Sequence, residues 1–217
     1  MKTLILIVSV SLLTGFLSVK AQSKISYGFG VKGGMTMSRF MESTVKNNYW
    51  FSYATGLSVE QRFTERLSLS YDLLYSRQGN VKFFSNPGLY DRIRTKYDYL
   101  TLPISFRYRL KRYPLVVIPG LQAGYLLSTQ SDFLPKTGKT YSDETLLKNT
   151  DFGFSLGLGY RFGKHFFADA KYYQSFGTMY RGYSRIDPRT GSPVRYPAVE
   201  QYNQVISASL TYYPFVK

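Results

Sequence analysis

The chain has 217 residues, enough for one domain or one barrel, and is 18% aromatic, with 21 Tyr and 16 Phe. It has no cysteine and a single histidine, His165, which excludes a disulfide scaffold, a thiolate or multi-histidine metal site, a Cys nucleophile and a lipidated N-terminal Cys. The formal net charge is +15, or +13 without Lys2 and Lys20; no nucleic-acid module accompanies it, so lipid phosphates are its simpler partner.

Residues 1–21 read as a signal peptide. Lys2 supplies the positive start, Leu4 to Phe16 is apolar and uncharged, and Val19-Lys20-Ala21 precedes a cleavage that leaves Gln22 as the first mature residue. The apolar run falls short of the ~20 residues a spanning helix needs. No later stretch is apolar enough to be a transmembrane helix. An exported domain, 22–217, follows.

That domain alternates in side-chain character with period two, the pattern of strands with two unlike faces. Ile25, Tyr27, Phe29, Val31, Met35 and Met37 alternate with Ser26, Gly28, Gly30, Lys32, Gly34 and Thr36. Phe51, Tyr53, Leu57, Val59 and Phe63 alternate with Ser52, Ala54, Gly56, Ser58, Glu60 and Arg62. A third strand sets Leu67 to Tyr75 (odd positions) against Ser68, Ser70, Asp72, Leu74 and Ser76, and a fourth sets Leu100 to Tyr108 (even) against Thr101, Pro103, Ser105, Arg107 and Arg109. The fifth, about Leu115 to Ser128, is the least regular, with Leu121, Ala123, Tyr125 and Leu127 opposing Gly120, Gln122, Gly124 and Ser128. The sixth is the cleanest, Phe152 to Phe162 (even) against Asp151, Gly153, Ser155, Gly157, Gly159 and Arg161. The seventh opposes Phe166, Ala168, Ala170 and Tyr172 to Phe167, Asp169, Lys171 and Tyr173; the eighth opposes Ile206, Ala208, Leu210 and Tyr212 to Asn203, Ser207, Ser209 and Thr211.

These segments run to roughly 10–14 residues, enough to cross a membrane in a tilted barrel, which takes about 9–11. Tight connections (Thr64-Glu65-Arg66, Lys111 to Pro114, Gly163-Lys164) alternate with long ones (38–49, 80–96, 129–150, 177–199), as periplasmic turns and extracellular loops do. An eight-stranded barrel has an interior just wide enough for side chains to fill. The Phe, Tyr and Leu face therefore points to lipid, and the Gly, Ser and charged face points inward. The expected fold is all-β, an eight-stranded antiparallel up-and-down transmembrane β-barrel, placed in the cell outer membrane.

Several stretches resemble the porin-like outer membrane β-barrel family of Bacteroidetes type, to which PorT-like proteins belong. They are Gly30-Val31-Lys32-Gly33-Gly34, Leu67 to Gly79, Tyr97 to Ile104, Pro119 to Ser128 and Gly157 to Phe162. The likeness spans about Ile25 to Phe215. It implies a membrane barrel without naming a substrate. Such barrels tend to end on an aromatic residue; here Phe215 precedes Val216 and Lys217.

The inward face carries Lys32, Glu60, Arg62, Asp72, Arg107, Arg109, Asp151, Arg161, Asp169 and Lys171. Paired charges are tolerable in a buried lumen and lone ones are not, so a salt-bridged filling is expected. Height along the strands matches Glu60 and Asp169 to Arg107 and Arg161, and matches Asp151 to neither. The alternative is a narrow, anion-preferring water path. Trp50, Tyr75, Tyr97 and Tyr125 near the outer ends, and Phe162, Phe166 and Tyr212 near the inner ends, are expected as aromatic girdles. His165 follows the Gly163-Lys164 turn and is expected at the periplasmic interface. Asp132 and Asp143-Glu144 lack the spacing of a calcium loop. No catalytic set, metal or cofactor is expected, and the protein is read as a non-enzyme. Its expected partners are membrane lipids, lipopolysaccharide included, and the barrel-assembly machinery, with no nucleic acid and with a loop ligand that the residues do not name. The expected role is structural or interactive, with the extracellular loops as the working surface. The alternatives are a pore for small solutes and an accessory of secretion or envelope assembly.

Overall fold

The computed structural model describes residues 25–42, 47–83, 92–134, 148–178, 183–186, 193–196 and 201–216. The expected signal peptide, 1–21, and the Asp143-Glu144 pair lie outside the described residues. The strands are β1 Ser26–Glu42, β2 Asn47–Arg62, β3 Leu67–Phe83, β4 Arg92–Arg109, β5 Leu115–Leu134, β6 Thr150–Phe162, β7 Phe166–Ser175, β8 Tyr183–Ile186, β9 Pro193–Tyr196 and β10 Gln201–Val216. Eight of them close into a barrel in the order β1-β10-β7-β6-β5-β4-β3-β2, each pair antiparallel. The remaining two, β8 and β9, pair with each other inside the last long connection, a stretch expected to be loop throughout.

Period two decides the faces. Phe29, Met35, Phe51, Leu57, Leu121 and Phe152 are exposed on the outer wall, whereas Lys32, Ser58, Asp72, Ser105 and Thr211 are buried within. Glycines are needed inside because neighbouring backbone carbonyls and rings fill their space. A Cβ at Gly159 would lie 2.5 Å from Phe167 Cζ, and one at Gly30 would lie 2.7 Å from Tyr213 Cδ1.

The tight turns gather at one end. Between β2 and β3, Thr64 Oγ1 accepts from Leu67 N at 2.9 Å. Leu110 N donates to Leu115 O at 2.9 Å to close the β4–β5 turn. In the β6–β7 turn Gly163 has φ +61°, a conformation glycine adopts without steric cost. Turn length assigns this end to the periplasm and the opposite end to the exterior.

Strands β4 and β5, of 18 and 20 residues, outrun the expected length. At ~3.3 Å per residue they exceed a lipid-facing band ~25 Å tall. Their outer ends therefore stand in water, where polar side chains are allowed on both faces. Lys96 Nζ lies 2.9 Å from Asp132 Oδ2, and Arg77 Nε lies 2.7 Å from Asp98 Oδ1. The alternation that marks a membrane strand is lost there.

Two irregularities re-aim side chains. The β4–β5 register shifts between Asp98↔Ser128 and Tyr99↔Leu126, which leaves Leu127 as the extra residue of a bulge. Ser128, expected inside, is consequently exposed and donates to Asp98 Oδ2 at 3.1 Å. The β2–β3 ladder is interrupted between Tyr49 and Ala54. There β1 reaches β3 directly. Ser38 Oγ accepts from Gly79 N at 2.8 Å and donates to Gly79 O at 3.0 Å, and Thr36 Oγ1 donates to Arg77 O at 3.1 Å. Side-chain hydroxyls thus satisfy backbone groups that the ladder leaves open.

Candidate functional site

The inward charges form two linked clusters. In the membrane-central one, Lys32 Nζ lies 2.7 Å from Asp169 Oδ2 and 3.1 Å from Asp72 Oδ2. Lys171 Nζ is 3.8 Å from the same Asp72 oxygen and donates to Ser105 Oγ at 3.3 Å. The other carboxylate oxygens accept from hydroxyls, Asp72 from Ser58 at 2.6 Å and Asp169 from Ser209 at 2.9 Å. Two acids face two bases, and the free space beside them is only about 50 Å³.

The second cluster lies towards the periplasm. Glu60, 1% exposed, accepts from Arg161, from Arg62 Nε at 2.9 Å and from Ser68 Oγ at 2.9 Å. Arg107 Nη1 is 3.4 Å from Glu60 Oε1 and donates to Tyr213 Oη at 2.9 Å. The Arg107 guanidinium carbon sits 4.1 Å above the Phe167 ring centre, and that of Arg161 sits 5.2 Å from it. Tyr213 Oη also shares a hydrogen bond with Ser58 Oγ at 3.0 Å, which joins the two clusters. Among the described residues the network draws on every barrel strand except β5. That strand contributes Val116 and Ile118 to an apolar group with Phe167 and Tyr213.

Of the two expected acid partners, Glu60 meets both Arg107 and Arg161, whereas Asp169 meets Lys32 instead. Asp151 stands apart near the outer end and accepts from Asn203 Nδ2 at 2.9 Å; the same amide donates to Gln78 at 2.7 Å. Arg109 lines the periplasmic mouth with Arg62. Ser58, Ser68, Ser105 and Ser209 share the inward parity, which was the available signal for them. Tyr213 continues the parity of Thr211 beyond the expected end of the last strand. Among the described residues no three carboxylate or imidazole side chains gather as a metal set.

The aromatic assignments divide. Tyr125, Phe162, Phe166 and Tyr212 are exposed on the outer wall, with the Phe166 and Tyr212 rings 4.9 Å apart. Tyr75, also outward, accepts from Arg77 Nη2 at 3.0 Å. Tyr97 is a correction. It is 3% exposed and packs inside with Phe40, Tyr99 and Leu126, because odd positions of β4 face the lumen. Trp50 is a second correction. It is half-buried, its Nε1 is enclosed, and Arg94 lies 4.5 Å over its ring. His165, in the β6–β7 turn, is exposed, and its Nδ1 lies 2.8 Å from Tyr213 O.

Residues 20–181 match the family described as outer membrane protein beta-barrel domain. No curated protein matches the chain. Among solved structures it is similar to the attachment invasion locus protein Ail of Yersinia pestis, at 14% identity and TM-score 0.49, covering 88% of this chain and 99% of that one. It is also similar to neisserial surface protein A, at 12% identity and TM-score 0.46, covering 87% and 98%. A third is OprG of Pseudomonas aeruginosa, at 11% identity and TM-score 0.41, covering 87% and 95%. With a closed eight-stranded wall that is apolar without and charged within, and a family match over most of its length, the chain belongs to the outer membrane protein beta-barrel domain family and resides in the cell outer membrane.

Proposed function

We propose that this outer membrane barrel is a non-conducting, non-enzymatic platform whose extracellular loops are its working surface. The observation that carries the reading is the Lys32–Asp72–Asp169–Lys171 cluster, which fills the centre of the lumen with paired charge. Breaking it to admit ions or solutes leaves buried charges unpaired, at a cost of about 3–5 kcal/mol. The same cluster weighs against a narrow solute pore. On the outer side, β3, β4 and β5 extend past the apolar band and β8–β9 adds a hairpin, so backbone structure is invested where a partner can meet it. Arg185 and Arg195 fall on that hairpin. Lipopolysaccharide phosphates are the proposed neighbours of this basic rim. The barrel-assembly machinery is the proposed partner during insertion. The resemblance to PorT-like proteins adds an accessory role in secretion only by analogy of fold. The deciding experiment is single-channel recording of the purified protein in planar bilayers. An electrically silent wild type is expected; steady, reproducible conductance steps overturn the platform reading.

A further inference from the structure

The central cluster balances its charges, but the periplasmic cluster does not. There Glu60 faces Arg62, Arg107 and Arg161, and with Glu65, Arg66 and Arg109 also in the lining two acids stand against five bases. These residues line a cavity of about 480 Å³ that opens at the turn end of the barrel. Small-ligand sites typically measure about 300–1,000 Å³. Arg107 is 1% exposed, yet its Nε and Nη2 have no hydrogen-bond partner, and Arg161 Nη1 has none either. Buried guanidinium donors of this kind are costly to leave unmet. Both guanidinium groups lie over the Phe167 ring, at 4.1 and 5.2 Å, a cation–π contact that favours their present positions.

From this geometry we propose that the periplasmic vestibule is a binding site for a phosphate-class oxyanion, carried by a small soluble phosphate or by a lipid headgroup. The arginine fork matches phosphate oxygens in pairs, and the surplus of positive charge suits a multiply charged anion better than a single carboxylate. The site is a blind pocket, because the lysine–aspartate cluster closes the lumen above it. It acts at the periplasmic face, independently of what the outer loops engage.

The test is titration of the full barrel in uncharged detergent with inorganic phosphate, followed by calorimetry and phosphorus NMR. Folding of each sample is verified by its heat-dependent gel shift. Saturable binding is expected. Arg62→Gln and Arg109→Gln, at the edge of the cavity, should each weaken it about tenfold, which is one charge-assisted hydrogen bond's share of affinity. Arg112→Gln, in the adjoining turn but outside the cavity, should leave it unchanged. Repeating the titration in nanodiscs of phosphatidylglycerol separates the sources. Phosphate binding lost there assigns the site to a headgroup, and binding retained there assigns it to a soluble phosphate. The proposal is overturned by a folded barrel that shows no saturation up to ~10 mM phosphate, by chloride of equal ionic strength giving the same response, or by Arg112→Gln weakening binding as much as Arg109→Gln.

Discussion

Replacing Asp169 by Asn removes one charge from the centre of the lumen and almost no volume. Lys32 then keeps Asp72 at 3.1 Å as its only carboxylate, and Lys171, 3.8 Å away, competes for the same oxygen. Two unit charges 2.7 Å apart, the present Lys32–Asp169 distance, attract by about 6 kcal/mol at an effective dielectric of about 20. The amide dipole and the retained Asp72 recover part of that, leaving an expected loss of about 3–5 kcal/mol, as for other broken buried pairs. In a hydrated channel, water would screen the survivor and hold the loss below about 1 kcal/mol. Trp50 is the sole tryptophan and sits near the outer rim, remote from the substitution, so its fluorescence reports global unfolding in denaturant. The double variant Lys32→Met/Asp169→Leu should regain most of the lost stability, since both charges leave together. A near-neutral Asp169→Asn, or a double variant as unstable as the sum of its single changes, would refute the view of a closed, low-dielectric cluster.

Two further predictions concern the wall. Cysteine at Leu156 should react with lipid-soluble probes and cysteine at Ser155, which is 4% exposed, should not; equal labelling would mean that β6 does not separate lipid from lumen. Gly159→Ala should destabilise by about 1–3 kcal/mol, as overpacking does, because its Cβ would meet Phe167 and Ile118 at 2.5 and 2.9 Å. Gly33→Ala, whose nearest neighbour would be 3.9 Å away, should be nearly neutral, and equal effects in denaturant titrations would contradict the packing described here.

Strand number, facing and loop order were legible because lipid and lumen impose opposite chemistry on successive residues. Where that contrast fades, so does the signal. The outer ends of β3, β4 and β5 lie in water, where the outward face is no longer apolar. The bulge at Leu127 adds one residue without a glycine or proline to mark it, so Ser128 was placed on the wrong face. Tyr97 was read by residue type, although its parity already pointed inward. The partner of Asp169 was hidden for a different reason. Lys32 stands opposite Thr211, and Asp169 stands opposite Ser209. Only the register across the closing seam brings the two to one level, and no local pattern encodes that register.

The span of the charge network has a consequence for assembly. Lys32 belongs to the first strand, Asp72 to the third and Asp169 to the seventh, and Tyr213 in the last strand ties their cluster to Glu60. No partly built sheet can satisfy them all. A sheet that entered the bilayer before its first and last strands met would carry bare lysine, arginine and carboxylate groups into hydrocarbon, at roughly 2–4 kcal/mol for each basic side chain near the midplane. Ionisation therefore penalises an incomplete sheet in lipid and favours the finished cylinder there.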